Sequence, residues 1–433
     1  MYLIVGVSLV KSSPSVALKG KIHYPGIYAV ERQAMYKTIN DVNVKGMRVL
    51  VRADLNVPVH DSSVSDLTRL ERLKPTLDRL TDEGARVIVM SHFGRPKGKK
   101  IPELSLKPVA NALSKVLNDR SVAFASDCIG TAAKETVSAL GQGQIAVLEN
   151  LRFHSGEETN CSIFASELAE LGDIFVNDGF SVSHRAHAST AGIASLLPSV
   201  AGINMQAELT ALSSALEHPK RPVGAIVGGA KISTKLEVLG NLTERMDFVV
   251  VGGAMANTFL CAIGVDVGKS LIENDMVSTA RKIIANSDNR GCELVLPSDV
   301  VIAPALETDV FTDVVKIAGV PKDKMILDIG PESVSGLCAK LTECRTLLWN
   351  GPLGAFEVPP FDQSTNAIAV TAAKLTRNGV MTSVAGGGDT VAALNQAGVA
   401  EDFTYVSTAG GAFLEWLEGK QLPGVEALSG TGK

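Results

Sequence analysis

The 433-residue chain has no C-x-x-C pair; its six cysteines, Cys128, Cys161, Cys261, Cys292, Cys338 and Cys344, stand far apart. This pattern fits reduced thiols in a cytosolic-type compartment and speaks against a zinc site built on paired thiolates. There is no basic excess either. Forty-one Lys and Arg against 46 Asp and Glu leave a net charge of −5, so nothing draws the whole surface toward nucleic acid or an anionic membrane. Membrane-length apolar runs are missing too, and the first, from Tyr2 to Val10, is interrupted by Gly6 and Ser8. Acidic residues are absent before Glu31, but the opening lacks the charged start of a secretory signal and is short of arginine. Residues 1–35 read as an atypical N-terminal extension.

What is present from Lys45 onward is rhythm. Short β-branched runs at 48–51, 86–90, 122–125, 145–148, 174–176, 223–227, 248–251, 293–296, 347–349, 380–384 and 404–406 alternate with helix-length segments. Such alternation predicts βα units, hence parallel sheets covered on both faces, with ligands collecting at the carboxyl ends of the strands. The expected fold class is α/β: two doubly wound parallel-sheet (Rossmann-like) lobes joined by a hinge helix. That helix is placed at 205–218, where apolar residues fall at 209, 212 and 216 before Pro219. Its position predicts a first lobe over 36–204, a second over 219–411, and a C-terminal segment, 412–433, returning to the first lobe, with a helix over 412–418.

The residues that follow the strands differ between the halves. In the first they carry charge: Arg52, Asp54 and Asn56; His92 and Arg95; Arg152; and Arg185. With Arg69 these offer the forked donors that suit oxyanions, and their concentration suits a small polyanion bearing a hydroxyl. His92, His184 and His187 lack spaced carboxylate or thiolate partners, so no transition-metal site is expected. In the second half the strand ends are mostly glycine, as in Gly228-Gly229-Ala230-Lys231, Gly252-Gly253-Ala254 and Gly386-Gly387-Gly388-Asp389-Thr390. Bare backbone running into a helix N-terminus favours phosphate oxygens, and Asp389 adds an oxygen ligand for a hard cation. Lys231 and Lys235, four apart, are expected on one helix face beside that cradle. A polyanion pocket opposite a nucleotide-phosphate pocket implies phosphoryl transfer, a reaction that needs positioning and cations rather than a protein nucleophile.

The chain from about Tyr36 to Leu428 resembles the phosphoglycerate kinase family in nine motifs taken in the family's order. They are 48–58 (RVLVRADLNVP), 91–96 (SHFGRP), 148–153 (LENLRF), 184–187 (HRAH), 228–231 (GGAK), 328–331 (DIGP), 349–357 (WNGPLGAFE), 386–390 (GGGDT) and 417–420 (LEGK). The resemblance implies reversible transfer of the acyl phosphate of 1,3-bisphosphoglycerate to Mg-ADP, giving 3-phosphoglycerate and ATP, in glycolysis or a related pathway. It implies that Asp54, Leu55, Asn56, His92, Phe93, Gly94, Arg95, Arg152 and Arg185 hold the phosphoglycerate. Arg69 and Lys231 would meet the transferring group, with Lys235, Asn350, Glu357, Gly386, Gly387, Gly388, Asp389 and Thr390 on the nucleotide and its Mg2+. It further implies a hinge-bending, cytoplasmic monomer acting on small molecules, with no nucleic-acid or membrane partner.

The sequence departs from the family at three glycine or alanine positions. Ala254 and Ala409 stand where glycine is usual, and Gly179 where alanine is common, so an added methyl is expected to crowd the nucleotide or to strain a positive φ, weakening nucleotide affinity. Two other readings compete. A nicotinamide oxidoreductase lacks the G-x-G-x-x-G fingerprint and leaves the arginines unexplained; a degenerate, non-catalytic paralogue would bind phosphoglycerate or nucleotide without turnover.

Overall fold

The computed structural model describes residues 36–60 and 63–429, so the reading of 1–35 as an extension lies outside the described residues. Two six-stranded parallel sheets organise the rest. The first runs, in spatial order, Val122–Ala125, Ile145–Leu148, Arg86–Met90, Arg48–Arg52, Ile174–Asn177 and Ser199–Ala201. The second runs Glu293–Val295, Phe248–Val251, Val223–Val227, Thr346–Asn350, Thr382–Gly386 and Tyr405–Ser407.

The β-branched runs form buried strands because each of their faces meets apolar side chains. In the first sheet Val49, Val51, Val87 and Val89 enter one core, while Leu50, Ile88 and Met90 enter another on the opposite face. The second sheet divides in the same way, with Ala225, Val227, Val249 and Val251 against Ile226, Phe248 and Val250. This is the period-2 signature of a doubly covered sheet. The second sheet's order reverses direction between Val223–Val227 and Thr346–Asn350, and a crevice opens at such a switch point.

Not every element follows the sequence reading. The joining helix spans Ile203–Leu216, two residues earlier at each end than expected, because Gly202 enters it extended and the chain closes at Glu217. Its burial is not one-sided: Met205, Glu208, Leu209, Ala211, Leu212, Ser213, Ala215 and Leu216 are all covered. The helix touches Thr68–Asp82 on one side and the strands Thr346–Asn350, Thr382–Gly386 and Tyr405–Ser407 on the other. Near the C-terminus a helix forms over Gly410–Leu417, and Gly424 then bonds to Ser183 O (2.8 Å) and accepts from Asn177 Nδ2 (3.1 Å). An antiparallel sheet of Asp313–Lys316, Asp299–Ala303 and Met325–Ile329 was not foreseen; it covers a small core of Val300, Ile302 and Val320.

At the switch point the backbones of Gly228 and Gly351 press together, and Gly351 also carries φ +104°. A methyl at 351 would collide with Gly228 O, so Gly351→Ala should lower stability by at least about 2 kcal/mol through overpacking and left-handed strain. Gly336 is the opposite case, since it lies inside the helix Pro331–Glu343 with open space where its Cβ would be. Gly336→Ala should add roughly 0.5–1 kcal/mol. Denaturant midpoints of the two variants should therefore move in opposite directions, and a shared direction contradicts this account.

Candidate active site

The carboxyl ends of the first sheet's central strands carry the cationic side chains. Arg52, the last residue of its strand, is fully buried. Its Nε donates to Ser189 Oγ (2.8 Å), one Nη donates to Ala53 O, and the other lies 3.3 Å from His92 Nδ1. Glu157, equally buried, balances it from 4.0 Å and accepts from Ser189 N–H and Oγ–H (3.0 and 2.6 Å). A guanidinium can only donate, so His92 Nδ1 must accept, and a neutral ring then carries its proton on Nε2. Burial and the Arg52 charge push His92 down to about 3, which keeps the ring neutral.

Around this pair the other predicted residues gather. Arg69, at the start of the helix Thr68–Asp82, places Nη1 2.8 Å from both Asp54 Oδ2 and Asn56 O. Burial works to raise the Asp54 carboxyl, but the Arg69 charge and hydrogen bonds from Ser181 Oγ and Asn56 N–H outweigh it and hold the group below its ordinary value. Asn56 Oδ1 accepts from Gly94 N–H (2.9 Å), and Arg152 Nη1 donates to Gly94 O (2.9 Å). Asn56, His92, Gly94, Arg95, Arg152 and Arg185 line one open cavity of about 480 Å3. Leu55 and Phe93 are buried beneath it: Leu55 N–H donates to Ser91 Oγ (2.9 Å) and Phe93 N–H to Asn150 Oδ1 (3.1 Å), so they shape the loops rather than the cavity surface.

The cavity also holds residues that the site reading omitted. Lys97, Ser181, His184 and His187 share its wall. His184 accepts from Arg185 Nε at 3.1 Å and so sets that guanidinium's direction. The two histidines stood beside Arg185 in the 184–187 motif, while Lys97, held at φ +55°, had no sequence signal beyond following Arg95-Pro96.

A second cavity of about 480 Å3 opens at the switch point of the second sheet, walled by Gly253, Ala254, Asn257, Leu306, Glu357 and Asp389 among others. Its lining is largely apolar, suited to a flat base, and its size falls within the usual range for small-molecule sites. Beside it lies a ridge built on hydrogen bonds. Lys235 Nζ donates to Asn350 Oδ1, Asn350 Nδ2 to Gly386 O (2.7 Å), Gly351 N–H to Thr390 Oγ1 (2.7 Å), and Thr390 Oγ1–H to Gly386 O (2.8 Å). The Thr390 hydroxyl is therefore engaged within the fold. Gly386 is buried against Phe413, whereas Gly387, at φ +96°, leads into the helix Gly388–Gln396, whose first turn exposes Asp389.

Two expectations need correction here. Lys231 and Lys235 do not share a helix face: a 3-10 turn, Ile232–Thr234, separates them and the helix begins only at Leu236. Lys231 is exposed and Lys235 half-buried, the latter lowered from its ordinary value by burial. Nor do the two alanines carry strain, because the positive φ falls on the neighbouring Gly253 (+66°) and Gly410 (+41°). Ala409 has φ −87° and is buried in a cleft between the sheets; Ala254 begins the helix Ala254–Ala262 and lines the second cavity. At Gly179 a methyl would sit 3.2 Å from Val182 Cγ2 and 3.3 Å from Arg52 O, so glycine there permits close packing.

The sheets meet through polar contacts near the cations. Arg72 donates to Val406 O (3.0 Å) and Thr408 Oγ1 (3.2 Å), and Tyr405 O–H donates to Glu208 Oε2 on the joining helix (2.6 Å). Asp54, Arg69 and Arg72 line one cleft with Thr408 and Ala409, so Arg69 faces the second sheet's last strand end.

His92 and His187, the latter pushed down to about 4 by burial and by Arg52, Arg152 and Arg185, give a stability prediction. Their folded values lie below the ordinary 6.5, so their contribution is fully present above about pH 6.5 and is lost as pH falls toward 4 and 3. At pH 5 the buried His92 alone should cost about 2 kcal/mol relative to pH 6.5. The melting temperature should drop over that interval, and His92→Gln should flatten the drop; an equal slope in the variant contradicts the assignment.

Comparison with known proteins agrees in sequence and in fold. The family model described as phosphoglycerate kinase matches residues 39–420. Relatives named phosphoglycerate kinase include one from Rhizobium meliloti (strain 1021), 55% identical over 394 residues, covering 91% of this chain and 98% of the relative. Another from Chelativorans sp. (strain BNC1) is 57% identical over 396 residues, covering 91% and 99%. Among solved structures, phosphoglycerate kinase from Coxiella burnetii superposes with TM-score 0.85 at 40% identity over 92% of this chain and all of that one. The Pyrococcus horikoshii OT3 structure gives 0.76 at 29% identity, covering 90% of this chain and 98% of that one.

Proposed function

Because the chain belongs to the phosphoglycerate kinase family, we propose that it catalyses reversible transfer of the acyl phosphate of 1,3-bisphosphoglycerate to ADP, yielding 3-phosphoglycerate and ATP. The observation that carries the reading is the gathering of His92, Arg95, Arg152 and Arg185 on one cavity wall beside Asp54 and Arg69. Few small metabolites need so many guanidiniums at once. A glycerate bearing phosphate and carboxylate does, and its hydroxyl would meet Asp54 and Asn56.

The nucleotide base fits the apolar cavity at the second sheet's switch point, with Glu357 at its edge for the ribose. Lys231, Lys235 and the backbone at Gly387 and Gly388 would hold the phosphates, with Asn350 positioning Lys235. The exposed Asp389 carboxylate offers a hard-oxygen ligand, so the residues present suit Mg2+, which when bound with the nucleotide neutralises phosphate charge. As the bond from phosphorus to the acyl oxygen breaks and the bond to the ADP oxygen forms, negative charge spreads over three equatorial oxygens. Arg69 and Lys231 then stabilise that charge if the two lobes swing together about the helix Ile203–Leu216, and closure also excludes water.

A monomeric, cytoplasmic glycolytic enzyme with small-molecule partners is the fuller form of the proposal. It draws support from the unpaired cysteines, and no described helix is long and apolar enough to cross a membrane.

A coupled assay with ATP and 3-phosphoglycerate tests the function, and turnover is expected; binding of both without turnover would instead favour a non-catalytic paralogue. Arg69→Ala should lower kcat by about 10²- to 10³-fold, the scale for losing one transition-state donor. Ala254→Gly should lower the KM for ATP by relieving the cavity wall, whereas Ala409→Gly, away from that wall, should leave it unchanged. Equal effects at the two positions would overturn this distinction.

A further inference from the structure

Away from both cavities, the carboxyl ends of the first sheet's edge strand and its neighbour bring together three side chains that the phosphoryl-transfer reading does not use. Val122–Ala125 runs into Asp127 and Cys128, while Ile145–Leu148, paired with it in parallel register, runs through the turn Leu151–Phe153 into His154. A carboxylate oxygen of Asp127, Cys128 Sγ and a ring nitrogen of His154 all lie within 4.8 Å of one another. We propose that Asp127, Cys128 and His154 form a binding site for one thiophilic divalent cation, Zn2+ being the best match.

The donor set is what selects the ion. One thiolate, one imidazole and one carboxylate suit Zn2+ and disfavour Mg2+ or Ca2+, which take oxygen ligands. With the thiol ionised the three ligands carry two negative charges, matching the ion. The thiol proton leaves to solvent on binding, and His154 binds through Nε2 with its own proton on Nδ1. Tetrahedral zinc with these ligands needs donor separations of roughly 3.3–3.8 Å. His154 Nε2 and Asp127 Oδ1 are 2.7 Å apart, so they must part by about 1 Å, a side-chain rotation.

The surroundings hold the ligands in place. His154 stacks on Phe164 (centroids 5.3 Å apart), Cys128 is buried, and Cys128 N–H donates to Asp127 Oδ1 (2.8 Å). The thiol is enclosed, while Asp127 and His154 are each about a quarter exposed, so an ion can enter from their side. Lys100 Nζ lies 2.6 Å from Asp127 Oδ2 on an exposed side chain. Without the ion its ammonium occupies the carboxylate; with the ion it would be displaced, leaving the fourth coordination position to water. The absence of paired thiolates in the sequence concealed this arrangement, because its ligands come from segments that follow two different strands and only one is sulfur.

Cobalt substitution on the full chain, stripped with chelator, reads the site directly, since Co2+ bound by thiolate gives a near-ultraviolet charge-transfer band. The expected result is a band that saturates at one Co2+ per chain, is displaced by Zn2+, disappears in Cys128→Ser and persists in Cys161→Ser. His154→Gln should weaken Zn2+ binding about 100-fold or more, since even outer partners of metal ligands are worth 10- to 100-fold. Lys100→Ala removes the competing ammonium and should tighten binding; this variant decides the matter even if Cys128→Ser does not fold. No thiolate band in the unmodified chain, a band that survives in folded Cys128→Ser, or affinity in Lys100→Ala that is unchanged or weaker would overturn the proposal.

Discussion

Like charges must be held close together for this protein to work, and the first sheet is built around that demand. Arg52, Arg152, Arg95 and Arg185 stand near enough to oppose one another's charge, and the two more buried, Arg52 and Arg152, keep carboxylate partners that leave the cavity open. Buried Glu157 serves Arg52, Glu158 stands 3.3 Å from Arg152 Nε, and Asp54 holds Arg69. The residual positive field is directed into the cavity. An anionic metabolite bound there would complete the balance, so binding and organisation of the site would be coupled.

His92 shows how the arrangement reaches chemistry. With a buried guanidinium on one nitrogen it stays neutral well below neutral pH, and it therefore has a single N–H donor left on the other nitrogen. The ring supplies direction where the arginines supply charge. The second sheet answers a different demand in the proposed reaction, the approach of phosphate to backbone, with side chains left off at 387 and 388. The close contact of Gly228 with Gly351 draws the two central strand ends together beneath it.

Much of this was legible in the sequence, for identifiable reasons. The parallel strands announced themselves because both faces are buried, giving runs such as Arg48–Arg52 with little polar interruption. The arginines could be grouped because each follows a strand, and parallel strands end on one edge. Less visible was whatever depends on turns. Lys231 and Lys235 look like a helical pair until the 3-10 turn between them is known, and which residue of a glycine-rich corner takes positive φ is decided by packing. The antiparallel sheet was hidden because Asp313–Lys316 alternates half-buried with exposed residues and Met325–Ile329 is only partly buried, although Asp299–Ala303 between them is mostly buried. Arg52 read as one more strand-end charge, and only its burial reveals that it orients His92.

The central claim is that two pockets on separate sheets act as one when the helix Ile203–Leu216 lets them approach. Small-angle X-ray scattering of the full chain alone, with 3-phosphoglycerate, with Mg-ADP and with both tests it most directly. The account predicts that the radius of gyration is smallest when both ligands are bound. A radius that stays the same in all four samples, while both ligands are shown to be bound, would contradict it.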